Sequence, residues 1–204
     1  MAARTPHVDV GLVHPLAYII GRTGVGDRTI GLLGCGEIGR AMARVAPAFE
    51  MAILYWDIAR FPDLEQRNEM RYVERDDLFR RSDILSVHLP LTPATERSIT
   101  AREFGLMKPD ALFVNTARGK LVDQASLVAA LRGRRLGGAA LDVFDTEPLP
   151  PDDPLRALHD DLAYNVTLTP HSGSHVPWTW AWDSQAMWTN VLRLLRGEPL
   201  QHLV

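Results

Sequence analysis

Three glycines and one acid carry the first chemistry legible in this chain. The spacing Gly34-x-Gly36-x-x-Gly39 lies within Gly31-Leu32-Leu33-Gly34-Cys35-Gly36-Glu37-Ile38-Gly39. That spacing alone says little, but here an apolar strand pattern precedes it and a helical pattern follows it. In such a setting Gly34 permits a tight turn, Gly36 lets the backbone approach a pyrophosphate, and Gly39 lets helix and strand pack. The free N–H groups at the helix start, around Glu37 and Ile38, then face the phosphates, whose charge the helix dipole favours. Cys35 needs no chemical role, since a small residue suits a crowded loop. The next apolar run ends at Trp56-Asp57, which puts Asp57 about 20 positions beyond Gly36, where an acid accepts hydrogen bonds from the adenosine ribose. Asp57 would also repel a 2′-phosphate, which favours NAD over NADP; Arg60 close by acts against that preference.

The elements that must position these residues follow from hydrophobic patterning. Short apolar runs at Thr29–Leu33, Ala52–Trp56, Ile84–His88, Ala111–Asn115, Gly138–Asp142 and Val166–Leu168 are mostly continuous rather than alternating. That is the signature of strands buried on both faces of a parallel sheet. Helical patterns fall between them at Glu37–Ala46, Arg75–Arg81, Ala101–Leu106 and Gln124–Arg132, and a long one runs from about Trp178 to Arg196, with Gly197 as its stop. Strand–helix repetition predicts an α/β, Rossmann-type doubly wound parallel sheet, a single nucleotide-binding domain with a C-terminal helix. The expected organisation is an N-terminal arm and linker over 1–28, the nucleotide-binding domain over 29–176, and a C-terminal helix and tail over 177–204. Gly21, Gly24 and Gly26 precede a strand instead of following one, so they read as linker and not as a phosphate loop. Glu50, just after the first helix, stands where a left-handed residue would end it.

Composition narrows the classes of function. The chain has 204 residues, 46% hydrophobic and 23% charged, with a formal net charge of −3, which is ordinary globular usage. Acids outnumber bases, 25 to 22, which argues against a nucleic-acid partner; the basic run Arg132–Arg135, broken by Gly133, reads as the cationic end of a helix. A single cysteine excludes an internal disulfide and a cysteine zinc cluster, and fits a reducing compartment. Asp9 and His14-Pro15 interrupt any secretory apolar core, and no run approaches the roughly 18 apolar residues of a membrane helix. A soluble cytoplasmic protein without a membrane partner is expected. His171 and His175 are four apart, but the intervening Gly173 argues against a helical metal pair, and no metal is expected. The Ser172-Gly173-Ser174 stretch lacks the strand-to-helix elbow of serine hydrolases.

Further segments, in order, are Ser82-Asp83-Ile84-Leu85-Ser86-Val87-His88-Leu89-Pro90-Leu91-Thr92, Met107-Lys108-Pro109, Phe113-Val114-Asn115-Thr116-Ala117-Arg118-Gly119, Ala140-Leu141-Asp142-Val143-Phe144-Asp145-Thr146-Glu147-Pro148-Leu149 and Leu168-Thr169-Pro170-His171. With the glycine segment, and from about Thr29 to the C-terminus, they make the chain resemble the nucleotide-binding domain of the D-isomer-specific 2-hydroxyacid dehydrogenases. The resemblance implies reversible hydride transfer between NAD(H) and a 2-hydroxy acid/2-oxo acid pair, and a homodimer. It assigns catalysis to Arg118, Glu147 and His171. His171 would be the acid/base, since imidazole exchanges protons near neutral pH. Glu147 would orient it and raise its pKa. Arg118 would grip carboxylate and carbonyl together through its planar fork. Asp142 matches the residue near the nicotinamide carboxamide. His88, Pro90, Thr116, Ala117, Arg118 and His171 join Gly34, Gly36, Glu37, Ile38, Gly39 and Asp57 in the cofactor cleft, at strand ends where open α/β sheets bind ligands.

Two expectations set this chain apart. The family's substrate-binding domain precedes its nucleotide half, whereas only 28 residues precede the glycine strand here, so cofactor binding should outlast turnover. An active dehydrogenase and a non-catalytic NAD-binding module, such as a redox sensor or scaffold, both stay open. Trp178, Trp180, Trp182 and Trp188 cluster after His171, either packing on a neighbouring helix or subunit or roofing a substrate pocket.

Overall fold

The structure, a computed structural model, describes residues 25–173 and 177–201, with side chains left undescribed at 177–183 and at Ala186. The expected arm falls mostly outside the described residues, as do His175 and the side chains of Trp178, Trp180 and Trp182. Two compact units divide the chain, one ending at Pro170 and the other beginning at His171.

The first unit alternates strand and helix: β1 (Thr29–Leu33), α1 (Glu37–Val45), β2 (Ala52–Trp56), α2 (Pro62–Asn68), β3 (Met70–Tyr72), α3 (Arg75–Arg81), β4 (Ile84–Val87), α4 (Ala101–Leu106), β5 (Leu112–Asn115), α5 (Gln124–Arg132), β6 (Gly138–Leu141), α6 (Pro154–Asp160) and β7 (Val166–Leu168). The seven strands form one sheet in the order β3-β2-β1-β4-β5-β6-β7, and every pair is parallel. Strand order therefore reverses between β1 and β4, the doubly wound arrangement whose crevice lies at the carboxyl ends of those two strands.

Both faces of the sheet are apolar. Side chains alternate across a strand, so Ile30 and Leu32 of β1, with Ile53 and Tyr55 of β2, face one core that also takes Ala43 of α1 and Met70 of β3. Leu33, Leu54, Leu85, Val87 and Phe113 face the other, against Leu78 and Phe79 of α3, Phe104 of α4 and Leu127 of α5. This two-sided burial is why the strands read as continuous apolar runs.

Three elements escaped the sequence reading: α2, β3 and α6. Each is short, and both helices begin on a proline at the first turn, where its fixed φ and missing N–H suit a helix start. Strands β4, β5 and β6 are each a residue shorter than expected, because His88, Ala111 and Asp142 have left the ladder. Glu50 does adopt the left-handed conformation, at φ 58°.

The second unit contains α7 (Pro177–Leu195). Its end is closed by Gly197, at φ 67°, with Gly197 N–H donating to Leu194 O (3.1 Å) and Glu198 N–H to Arg193 O (2.9 Å). Among the described residues no helix is long and apolar enough to cross a membrane.

Candidate cofactor and active site

The loop after β1 turns at Gly34, whose φ of 99° is hostile to an L side chain and where a Cβ would come within 2.8 Å of the His88 carbonyl. Gly34 N–H donates to Trp56 O (2.9 Å) and His88 N–H to Leu33 O (2.8 Å), so the loop is tied to both neighbouring strands. A Cβ on Gly39 would lie 2.4 Å from Gly34 O, so α1 packs onto its own loop there. Gly36 differs from both. Its φ is −70°, which any residue tolerates, and a Cβ there would meet no protein atom within 4 Å. Among the described residues nothing demands glycine at that position. A ligand approaching the backbone would demand it, and the first N–H groups of α1 have no intrahelical acceptor.

Asp57 sits just beyond β2 and is held by the glycine loop: Cys35 N–H donates to its Oδ2 at 2.6 Å and Ala59 N–H to its Oδ1 at 3.3 Å. A carboxylate has about four acceptor sites, so these two bonds fix its direction and leave capacity for ribose hydroxyls. Ile58 follows, 93% exposed, and Ile38 is exposed on the first turn of α1. Burial raises the Cys35 thiol above its ordinary pKa, which keeps it protonated and unreactive.

His88 stands at the sheet reversal. Its Nε2 is buried without a hydrogen-bond partner, and burial holds the imidazole down at about 4, so the ring is neutral near pH 7. A buried, unmatched ring nitrogen is costly unless something pairs with it. The His88 backbone and Cβ lie against Gly34 and Gly39 of the glycine loop, so the ring nitrogen stands where a polar ligand in the crevice would pair with it. Pro90 is exposed, its carbonyl accepting from Thr95 Oγ1 at 2.6 Å.

A second cluster forms at the ends of β5 and β6. Asn115, fully buried, accepts from Ala117 N–H and donates to Arg118 O, both at 3.0 Å. It thereby shapes the Thr116-Ala117-Arg118 loop, on which Thr116 and Arg118 are exposed. Arg118 Nη1 donates to Ala117 O (2.6 Å). A Cβ on Gly119 would lie 1.9 Å from the Phe144 backbone, so the loops after β5 and β6 abut main chain to main chain. Glu147 accepts from Phe144 N–H at 2.9 Å, and buried Asp142 accepts from Thr169 Oγ1. The sequence reading gave Asn115 no role; an amide at a strand end, next to a loop carrying a cation, was the available signal. His171 opens the second unit, exposed and at φ 52°. The structure thus gathers the glycine loop, Asp57 and His88 at one reversal, and Arg118, Asp142 and Glu147 on the neighbouring strand ends, with His171 in the other unit. Among the described residues no group of three or more metal-binding side chains is present.

Comparison with known proteins agrees with this fold. Residues 19–173 match the family described as "D-isomer specific 2-hydroxyacid dehydrogenase, NAD binding domain". A glyoxylate reductase of Korarchaeum cryptofilum is 42% identical over 177 residues, covering 87% of this chain and 52% of that protein. Among solved structures, the holo form of Rhodotorula graminis D-mandelate dehydrogenase superposes with a TM-score of 0.83 at 32% identity, over 91% of this chain and 54% of the other. D-lactate dehydrogenase with NAD+ from Lactobacillus jensenii gives 0.79 at 30% identity, over 88% and 56%. The chain spans about half the length of the relatives it matches.

Proposed function

The chain belongs to the D-isomer specific 2-hydroxyacid dehydrogenases through their NAD binding domain, and from that premise we propose that it binds NAD(H) and transfers hydride between it and a small 2-hydroxy acid/2-oxo acid pair. The observation that carries the reading is the backbone at Gly36, open where no described residue requires it to be, at the reversal of a doubly wound sheet. The relatives named glyoxylate reductase make glyoxylate the first substrate to try. A homodimer and a cytoplasmic setting belong to the same reading.

When bound, the nicotinamide supplies or receives the hydride. The chain's own residues would do the rest. Arg118 holds the substrate carboxylate, for which a planar two-pronged cation is suited. His171 takes the hydroxyl proton on a ring nitrogen as the 2-hydroxy acid is oxidised, and returns it to the carbonyl oxygen in reduction. Glu147 is the carboxylate that keeps an imidazole basic enough for this exchange. Gly34, Gly36, Glu37, Ile38 and Gly39 would bed the pyrophosphate, Asp57 the ribose, and His88, Pro90, Thr116, Ala117 and Asp142 the nicotinamide side of the cleft. These roles rest on the sequence segments that carry them.

The test is to mix the full chain with NADH and a panel of 2-oxo acids headed by glyoxylate, and to follow loss of nicotinamide absorbance. Turnover that falls about 10²–10⁴-fold in His171→Ala, the range expected for a general acid/base, supports the dehydrogenase. Binding of NADH without turnover selects a non-catalytic NAD-binding module. Absence of NADH binding refutes both.

A further inference from the structure

Resting on the NAD reading, we propose that Glu65 sets the cofactor preference of this chain by holding Arg60 away from the adenosine ribose. An arginine just beyond the second strand is the side chain that accommodates the 2′-phosphate of NADP in this fold, and Arg60 stands three residues after Asp57. Left free, it would offset the negative charge of Asp57.

The structure engages it elsewhere. Arg60 Nε donates to Glu65 Oε1 and Nη2 to Glu65 Oε2, both at 2.8 Å, a two-pronged pair that fixes the guanidinium plane. Glu65 is itself anchored. Tyr55, fully buried in β2, donates its phenol to Glu65 Oε1 at 2.9 Å and accepts Phe61 N–H at 2.8 Å. The Arg60 pair holds the Glu65 carboxyl down at about 2, so it is charged throughout the working range. The guanidinium also lies 5.9 Å from the centre of the Tyr72 ring, so its hydrogen bonds and ring contact among the described residues are to α2 and β3.

The other cation near this loop is occupied too. Arg40 donates to Cys35 O at 2.9 Å and stacks over Phe61 at 4.6 Å. Asp57 is then the charge that the loop between β2 and α2 turns toward the glycine turn. Because Arg60 is largely exposed, its pair with Glu65 adds little to stability; its consequence is directional.

The experiment measures dissociation constants for NADH and NADPH by nucleotide fluorescence, on the full chain and on Glu65→Gln, Arg60→Ala and the double variant. Glutamine retains an acceptor for Tyr55 but not the charge that clamps Arg60. NADH should bind the parent chain more tightly than NADPH. Glu65→Gln should tighten NADPH roughly fivefold, equivalent to about 1 kcal/mol, with NADH unchanged. Arg60→Ala alone should leave both constants unchanged, and adding it to Glu65→Gln should erase the gain. A gain that survives in the double variant overturns the inference, as does an unchanged NADPH:NADH ratio in Glu65→Gln. If Glu65→Gln melts early, Glu65→Asp, charged but too short for the two-pronged grip, should show a gain in the same direction, and its absence counts against the inference. A parent chain that binds NADH but shows no preference over NADPH overturns this inference alone, whereas one that binds neither nucleotide overturns the cofactor reading with it.

Discussion

At the scale of single residues, the same residue type answers to different demands. Gly34 and Gly39 are dictated by neighbouring protein atoms, whereas Gly36 is dictated by nothing among the described residues. Gly36→Val should therefore lower the melting temperature by only about 2–4 °C, the roughly 1 kcal/mol cost of a poorer N-cap residue for α1, while weakening NADH binding at least tenfold. A variant that unfolds early, or that binds NADH normally, would contradict this division. The glycine spacing and Asp57 were legible because their meaning lies in local order along the chain. Asn115 and Glu65 were not, because each acts on a residue whose position only the folded loop defines. Asn115 read as the last residue of a strand, and Glu65 had no role legible in the sequence, since its role follows only from Tyr55 and Arg60 beside it.

At the scale of elements, periodicity recovered most pieces, short ones among them, and missed α2, β3 and α6. Three-residue β3 has no pattern of its own and is a strand because β2 offers it an edge. Helix α4, only six residues long, is sustained by its start. Thr100 and Glu103 form a reciprocal capping box there, and Glu103 also pairs with Arg75 and Arg102, each at 3.0 Å. Burial would raise the Glu103 pKa, but the bonds from Thr100 and the two arginines outweigh it and bring it down to about 2. Between about 2 and the ordinary value of 4.5, the unfolded chain binds a proton here that the folded chain refuses, so this stability is complete above pH 4.5 and is lost as pH falls toward 2. Thr100→Ala should cost about 1 kcal/mol at pH 7 and make the acid limb of the stability curve shallower. Urea titrations at several pH values would read both; a limb as steep as the parent's would argue against the cap as the source.

At the scale of the molecule, the alternation of strand and helix was enough to predict a doubly wound sheet, because burial on both faces leaves its mark on composition. The end of the sheet opposite the crevice is closed by charge. Asp83 accepts from Thr29 N–H (2.8 Å) and from Lys108 (2.7 Å), with Arg28 at 3.9 Å. Asp83→Asn should destabilise the fold by about 1–3 kcal/mol, the cost of leaving a partly buried cation short of its partner, while leaving the NADH dissociation constant unchanged. A denaturation curve and a nucleotide titration on that variant decide it.

The abutment of Gly119 on Phe144 carries one more implication. Two bends separated by a whole helix and a strand share a single steric seam. A methyl group added at residue 119 would have to push the opposite bend aside, so a disturbance in one loop is handed directly to the other.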